Sequence, residues 1–321
     1  MVNFEDVEQA YHRIKQYVNH TPVMTSRTLN EIVEANVYLK CENFQRVGAF
    51  KPRGALNKIL QLSNEEKSRG IVTHSSGNHA QAVALAGKLL GIKTVVVMPE
   101  NAPQVKVDAT KGYGAEVVRC DNNTESRVRT AEQLGEKHGY TLVHAYDDYN
   151  IIAGAGTAAY ELIKEVGKLD YIFFPIGGGG LASGTIIASK GMIPDIEIIG
   201  VEPEKADDAF RSLRDNVIYP SPYPNTIADG LRTQLSEKTF GIIKKYNTKI
   251  ITVTENEIVD AMKFLWERMK IVVEPSGAVP LAGILKLEEN LRKKQVGGII
   301  SGGNVELNDF FKIFYDKISL T

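Results

Sequence analysis

The chain has 321 residues, 43% of them hydrophobic, which is length and apolar content enough for about two domains with a sizeable core. Its 38 basic and 39 acidic residues leave a formal charge of -1, excluding the basic footprint of a nucleic-acid or membrane-surface binder. No apolar run of roughly 18 residues could span a bilayer, and the charged amphipathic start MVNFEDVEQAYHRIKQY predicts a cytoplasmic protein without a signal peptide. Cys41 and Cys120 form no CxxC pair and predict no disulfide.

In chain order, GAFKPRGA (48–55) reads as a loop entering a helix. GIVTHS (70–75) reads as a strand, followed by SSGNH (75–79) and a helix over His79–Leu90 that stops at Gly91. TVVVMP (94–99) is a second strand. YIFFPI (171–176) runs into GGGG (177–180) and the helical LASGTIIASKG, and IEIIGVEP (196–203) is the next strand. TIADG (226–230) is a turn, and the strand GGIIS (297–301) enters SGGN (301–304). Buried apolar strands separated by helices mean a parallel sheet covered on both faces, the α/β class. Ligands of such sheets bind beyond the carboxyl ends of the strands, where these glycine-rich turns gather.

Each turn has a chemical reading. Gly177, Gly178, Gly179 and Gly180 between strand and helix form a phosphate cup, because side-chain-free backbone lets N–H groups converge at a helix N-terminus. No Lys or Ser/Thr follows in P-loop register, which excludes a Walker-type site. Gly177-x-Gly179-x-x-Ala182, with Glu202 ending the next strand, also imitates a dinucleotide-binding fingerprint, so an NAD-dependent Rossmann dehydrogenase is the competing reading. Lys51, beside Pro52 at a helix start, has the setting of a Schiff-base lysine for an aldehyde cofactor. Its other reading is a solvated pair with Arg53. In SSGNH, one serine caps the helix, or exposed N–H groups hold a substrate carboxylate while a serine faces the reacting carbon. Ser301, ending a buried strand, offers a hydroxyl to a heterocyclic nitrogen or is part of an ordinary turn.

Taken together, FKPRGALN, THSSGNHAQAVALAGKLLGI, KGYGAEVV, IAGAGTAAYEL, GGGGLASG, GVEPEKADD, TIADG, WERMKIVVEPSGA and ISGGNVEL resemble the serine racemase and serine/threonine dehydratase family of fold-type II pyridoxal-phosphate enzymes. The motifs stand in the family's order across nearly the whole chain, and they displace the Rossmann reading. The resemblance implies a tryptophan-synthase-β-like fold with two open, twisted, mostly parallel sheets and helices on both faces. It implies a large cofactor domain of residues 1–60 and 149–321 and a small mobile domain of residues 61–148. It makes Lys51 the Schiff-base lysine of pyridoxal 5'-phosphate, packed beside Phe50. Gly177 to Gly180 with Leu181 would hold the phosphate, Asn78 the ring hydroxyl and Ser301 the pyridine nitrogen. Ser76 would face the substrate opposite Lys51, giving the two acid/base groups that racemisation requires. Ser75, Gly77, His79 and, in a closed form, Arg127 would hold the carboxylate.

The activity so implied is interconversion of L- and D-serine with β-elimination of serine to pyruvate and ammonia. Threonine or 3-hydroxyaspartate dehydration on the same scaffold is the alternative. The resemblance further implies a divalent cation (Mg²⁺, Ca²⁺ or Mn²⁺) at Glu202, Ala206 and Asp208, and a homodimer. A nucleotide site at Gln81, Tyr113 and Lys270 is implied too. Arg27, Arg46 and Val47 depart from the animal pattern there, leaving activation by ATP open, and Tyr146 replaces an asparagine that contacts the cofactor. Little chain follows Asn304, so an isoleucine-responsive regulatory domain is not expected.

Overall fold

The computed structural model describes residues 1–221, 224–306 and 311; Leu307 of the last motif and most of the tail that follows it lie outside the described residues. Apolar β-branched runs have no polar face to offer water, so the sheets they form must be covered on both sides. The strands are β1 (Val23–Met24), β2 (Asn36–Cys41), β3 (Ile71–His74), β4 (Thr94–Pro99) and β5 (Glu116–Cys120) in the first part of the chain. β6 (Thr141–Leu142), β7 (Tyr171–Pro175), β8 (Glu197–Pro203), β9 (Lys249–Val253) and β10 (Gln295–Ile300) follow. They build a six-stranded sheet in the order β1-β2-β10-β7-β8-β9 and a four-stranded sheet in the order β5-β4-β3-β6. Among the described strands every pairing is parallel except β1 with β2. The expected class, with two mostly parallel sheets, is the one observed.

The larger core is built on both faces of the six-stranded sheet, with Phe173 on one side and Phe174 on the other, both fully buried. In the four-stranded sheet, Val95, Val96, Val97 and Met98 of β4 are all buried. The helix Asn78–Leu90 begins one residue earlier than its pattern predicts and ends, as expected, at Gly91 with φ +67°. Short pairings such as β6, two residues long, carry too little pattern to be read from sequence.

One helix fixes the relation between the glycine-rich turns. Tyr149–Val166 is capped by Asp148, whose side chain accepts from the N–H groups of Asn150 and Ile151. It packs against both Lys51–Leu60 and Gly180–Met192. Small residues make that approach possible: a Cβ on Gly156 would stand 2.6 Å from the Gly184 carbonyl, and one on Gly54 would stand 2.9 Å from the Ile151 carbonyl. The sequence IAGAGTAA is therefore a packing surface that sets the Lys51 helix against the tetraglycine helix.

Candidate active site

The carboxyl ends of β3, β7 and β10 open into one cleft of about 250 Å³. Lys51, Ser75, Ser76, Asn78, the tetraglycine and Ser301 all line it, although they come from segments far apart in the chain. Phe50, Gly77, His79, Arg127 and Leu181 are in its wall as well.

Lys51 opens the helix Lys51–Leu60, with Pro52 in the first turn where its missing N–H costs nothing. Its Nζ donates to the Ala145 carbonyl at 3.1 Å and lies 4.9 Å from the centre of the Phe50 ring. Burial lowers its pKa from 10.5 to about 8, against the opposing charge of Glu274. The shift makes the neutral amine that carbonyl capture needs far more abundant near physiological pH than in an ordinary lysine. The solvated Lys51–Arg53 pair is ruled out: Arg53 is fully buried and bonds Glu42 and Glu161.

Two features shape the tetraglycine. Gly179 has φ +84°, a left-handed conformation that suits glycine, and it is the N-cap of the helix Gly180–Met192. A Cβ on Gly178 would stand 2.6 Å from the Tyr146 ring, so this ring lies directly against the loop. Tyr146 in turn stacks edge-on with His144 at 4.8 Å, and His144 with His74 at 5.8 Å. Burial lowers the pKa of both imidazoles, that of His74 to about 4, so the two rings behind Tyr146 are uncharged.

In SSGNH neither serine caps the helix, contrary to the simplest expectation. Gly77 is the N-cap and no side chain closes the helix start. Ser75 Oγ accepts from the Gly77 N–H at 3.3 Å, and Ser76 makes no such bond. The backbone N–H groups at this start are left to meet an anion. The His79 side chain does not join them. It is buried and kept neutral by desolvation, and its Nε2 pairs with the Val143 carbonyl at 3.0 Å. Nε2 must then carry the proton, leaving Nδ1 with none to donate. Only the His79 backbone can hold a carboxylate. The Arg127 guanidinium donates to Thr124 Oγ1 at 3.0 Å within its own helix.

Asn78 has partners that sequence reasoning missed. Its Nδ2 donates to Glu274 at 3.0 and 3.2 Å, and its Oδ1 accepts from Asn304 Nδ2 at 2.9 Å. The Asn304 N–H also donates to Glu274, at 3.1 Å. One Nδ2 hydrogen of Asn78 remains for a ligand. Burial and the charge of Asp229 push the pKa of Glu274 up to about 8. Its position before Pro275 in VVEPSGA is its one signal in the sequence.

The acidic loop lies outside the cleft. Glu202, one residue before the end of β8, is almost fully buried and accepts from the N–H groups of Ala209 at 3.1 Å and Phe210 at 2.7 Å. It lines no part of the cleft, which overturns its reading as the ribose-binding acid of a dehydrogenase. Asp208 is buried and, among the described residues, neither carboxylate oxygen has a partner in good hydrogen-bond geometry; burial raises its pKa to about 6, with Ser221 and its own N–H near enough to oppose that rise. Ala206 ends the single 3₁₀ turn between these two acids. Gln81, Tyr113 and Lys270 line neither the cleft nor a shallow pocket at Arg27, and Lys270 adopts φ +61°. Among the described residues both cysteines are free and buried, and no helix is long and apolar enough to cross a membrane.

Comparison with known proteins agrees with this geometry. The family described as "Pyridoxal-phosphate dependent enzyme" matches residues 14–302. An L-threo-3-hydroxyaspartate ammonia-lyase of Saccharomyces cerevisiae is 50% identical over 98% of this chain and 97% of its own. The serine racemase of Dictyostelium discoideum is 49% identical over 97% of this chain and 98% of its own. A maize serine racemase structure superposes with a TM-score of 0.94 at 41% identity, covering 99% of this chain and 98% of that one.

Proposed function

We propose, for a chain that belongs to the pyridoxal-phosphate-dependent enzyme family, that it interconverts L- and D-serine and eliminates water from serine to give pyruvate and ammonia. The observation that carries this reading is the meeting of Lys51 and Ser76 in one cleft with the tetraglycine loop and an uncapped helix start. The residues fit pyridoxal 5'-phosphate: the loop at Gly178 has no room for a Cβ, and Lys51 is a buried amine of lowered pKa. When bound, that group supplies the electron sink for bonds at the substrate α-carbon.

The protein's own residues do the rest. Gly177 to Gly180 and Leu181 hold the phosphate through backbone N–H groups. Asn78 gives its free amide hydrogen to the ring oxygen. The start of the helix Asn78–Leu90 binds the substrate carboxylate, with Ser75 and Gly77 beside it. Lys51 takes the proton at the α-carbon on one face and Ser76 returns one on the other. Ser301 offers the pyridine nitrogen a hydroxyl instead of a carboxylate, leaving it largely neutral, which favours expulsion of a β-leaving group over transamination. Residues 61–148, which contain the four-stranded sheet, are the unit we expect to move over the cleft.

A divalent cation, Mg²⁺ or one of its kin, would be held by Glu202, Asp208 and the Ala206 carbonyl, a reading supported by two buried Asp208 oxygens without a well-formed hydrogen bond. It would stabilise the fold without touching the chemistry. The reading extends to a cytoplasmic homodimer and to ATP activation through Gln81, Tyr113 and Lys270.

A second reading, elimination from L-threo-3-hydroxyaspartate, is favoured by two cations in the cleft wall, Lys106 and Arg127. The deciding experiment incubates the enzyme with L-serine, L-threonine and L-threo-3-hydroxyaspartate, following keto acid and, by chiral separation, D-serine. D-serine beside pyruvate is the expected result. Keto acid without D-serine would overturn racemisation and leave a dehydratase.

A further inference from the structure

Once Lys51, the tetraglycine, Ser301 and the SSGNH loop have their roles, one charged pair in the cleft wall is left without one. Lys106 lies on the helix Gln104–Gly112, which connects β4 to β5. Asp229 begins the turn Asp229–Leu231 on the chain that links β8 to β9. Both line the cleft, and Lys106 Nζ meets Asp229 Oδ2 at 3.4 Å across it. The pair therefore joins the body of the four-stranded sheet to that of the six-stranded sheet.

We infer that Lys106 and Asp229 select substrates by side-chain charge: Lys106 binds the second carboxylate of a dicarboxylic β-hydroxy amino acid, and Asp229 holds that position when the substrate side chain is neutral. The inference deepens the reading of function above and rests on it. Three observations support it. The contact is long and open to water, with 29% of the Lys106 side chain and 52% of that of Asp229 exposed. Such a pair contributes little stability, so an incoming carboxylate exchanges with Asp229 at small cost. Of the other cleft cations, Lys51 is assigned to the cofactor, and Arg127 has no anionic partner across the cleft among the described residues, its Nη2 donating to Thr124 Oγ1 within its own helix.

The other acid nearby, Glu274, is committed to Asn78 and Asn304, and burial holds its pKa up to about 8. Asp229 is thus the anion that a second substrate carboxylate would confront. A hydroxymethyl side chain carries no charge and leaves the pair intact. Removing Lys106 and removing the charge of Asp229 should then act in opposite directions on the same ratio, which loss of structure would not do.

The test uses the holoenzyme and the variants Lys106→Gln and Asp229→Asn. For each, kcat/KM for L-threo-3-hydroxyaspartate is divided by that for L-serine, both followed as ammonia release. Losing a charge-assisted contact costs about 10- to 100-fold, so K106Q should lower the ratio by that factor while D229N raises it several-fold. Binding of L-aspartate, read by titration of the visible absorption, should weaken in K106Q and tighten in D229N. A ratio that moves the same way in both variants, or L-aspartate binding indifferent to both, would overturn the selector. An enzyme that turned over neither substrate would instead overturn the reading of function, while L-aspartate binding still judged the selector.

Discussion

Arg53 and Glu161 meet in a fully buried two-pronged ion pair, with Nη1 to Oε1 at 2.8 Å and Nη2 to Oε2 at 2.7 Å. Arg53 also holds Glu42, at 2.8 Å from Nε and 2.9 Å from Nη2. Lys40 completes the set, at 2.8 Å from Glu161 and 2.6 Å from the Thr21 carbonyl. Two cations and two anions cancel, and every charge has a partner. The cluster ties β2, the turn after it and the helix Tyr149–Val166 to the helix that opens with Lys51. Removing one member of a buried network leaves uncompensated charge, which costs about 3–5 kcal/mol. Arg53→Met should lower stability by that amount in urea titrations, and Arg53→Lys should recover only part, because an ammonium cannot grip two carboxylates in a fork. A loss under about 1 kcal/mol for R53M would contradict this account of the cluster.

The tetraglycine makes a separate prediction. A Cβ on Gly178 would strike the Tyr146 ring at 2.6 Å, and one on Gly180 would approach Tyr146 Cβ at 2.8 Å. Gly178→Ala should therefore push Tyr146 into the cleft and weaken cofactor retention, measured by equilibrium dialysis and visible absorption. Adding Tyr146→Ala should restore part of it. If G178A kept full cofactor affinity, the loop would not be a tight cradle.

What could be read from the sequence follows from how far apart the interacting residues are. GGGG, SSGNH and SGGN are short, so their glycines and hydroxyls declare themselves at strand ends. The solvated reading of Lys51 and Arg53 failed because the carboxylate that claims Arg53 on the neighbouring helix, Glu161, is 108 residues away. Lys106 and Asp229 are 123 residues apart, and no local pattern links them. Glu274 is legible only as a glutamate before a proline, since its partners Asn78 and Asn304 arrive from two other strand ends. Reading the serines of SSGNH as caps failed for a different reason. Gly77 lets the chain turn into the helix without a side-chain acceptor, leaving the helix start to the cleft.

The lowered pKa of Lys51 has a sign that can be checked. Desolvation brings it from 10.5 to about 8, so its neutral fraction rises with pH through 8. In cofactor-free enzyme, the rate at which added pyridoxal phosphate develops its visible band should climb through a midpoint near pH 8 and then level. An ordinary lysine would still be climbing at about pH 10. Between pH 8 and 10.5 the unfolded chain holds a proton that the folded one does not. Lys51's contribution to stability therefore improves as pH rises across that window. A midpoint near that of an ordinary lysine would show the amine to be solvated.

The division of labour between Lys51 and Ser76 is the sharpest test of the reaction. Racemisation needs a proton removed from one face of the α-carbon and another delivered to the opposite face. Elimination from L-serine needs only the first of these, followed by loss of the hydroxyl. Lys51→Ala should therefore abolish both activities together with the visible band. Ser76→Ala should leave the band, and should suppress racemisation by a factor typical of a lost acid/base group, about 10²- to 10⁴-fold. Pyruvate formation from L-serine should fall much less in S76A, because Lys51 still reaches the proton it must take. The D-isomer gives the converse: its α-proton faces Ser76, so pyruvate formation from D-serine should fall together with racemisation. Chiral chromatography and pyruvate coupling on the same samples separate these outcomes. Equal loss of racemisation and L-serine elimination in S76A would mean that the serine orients the substrate and carries no proton, and the second base would have to be sought elsewhere in the cleft wall.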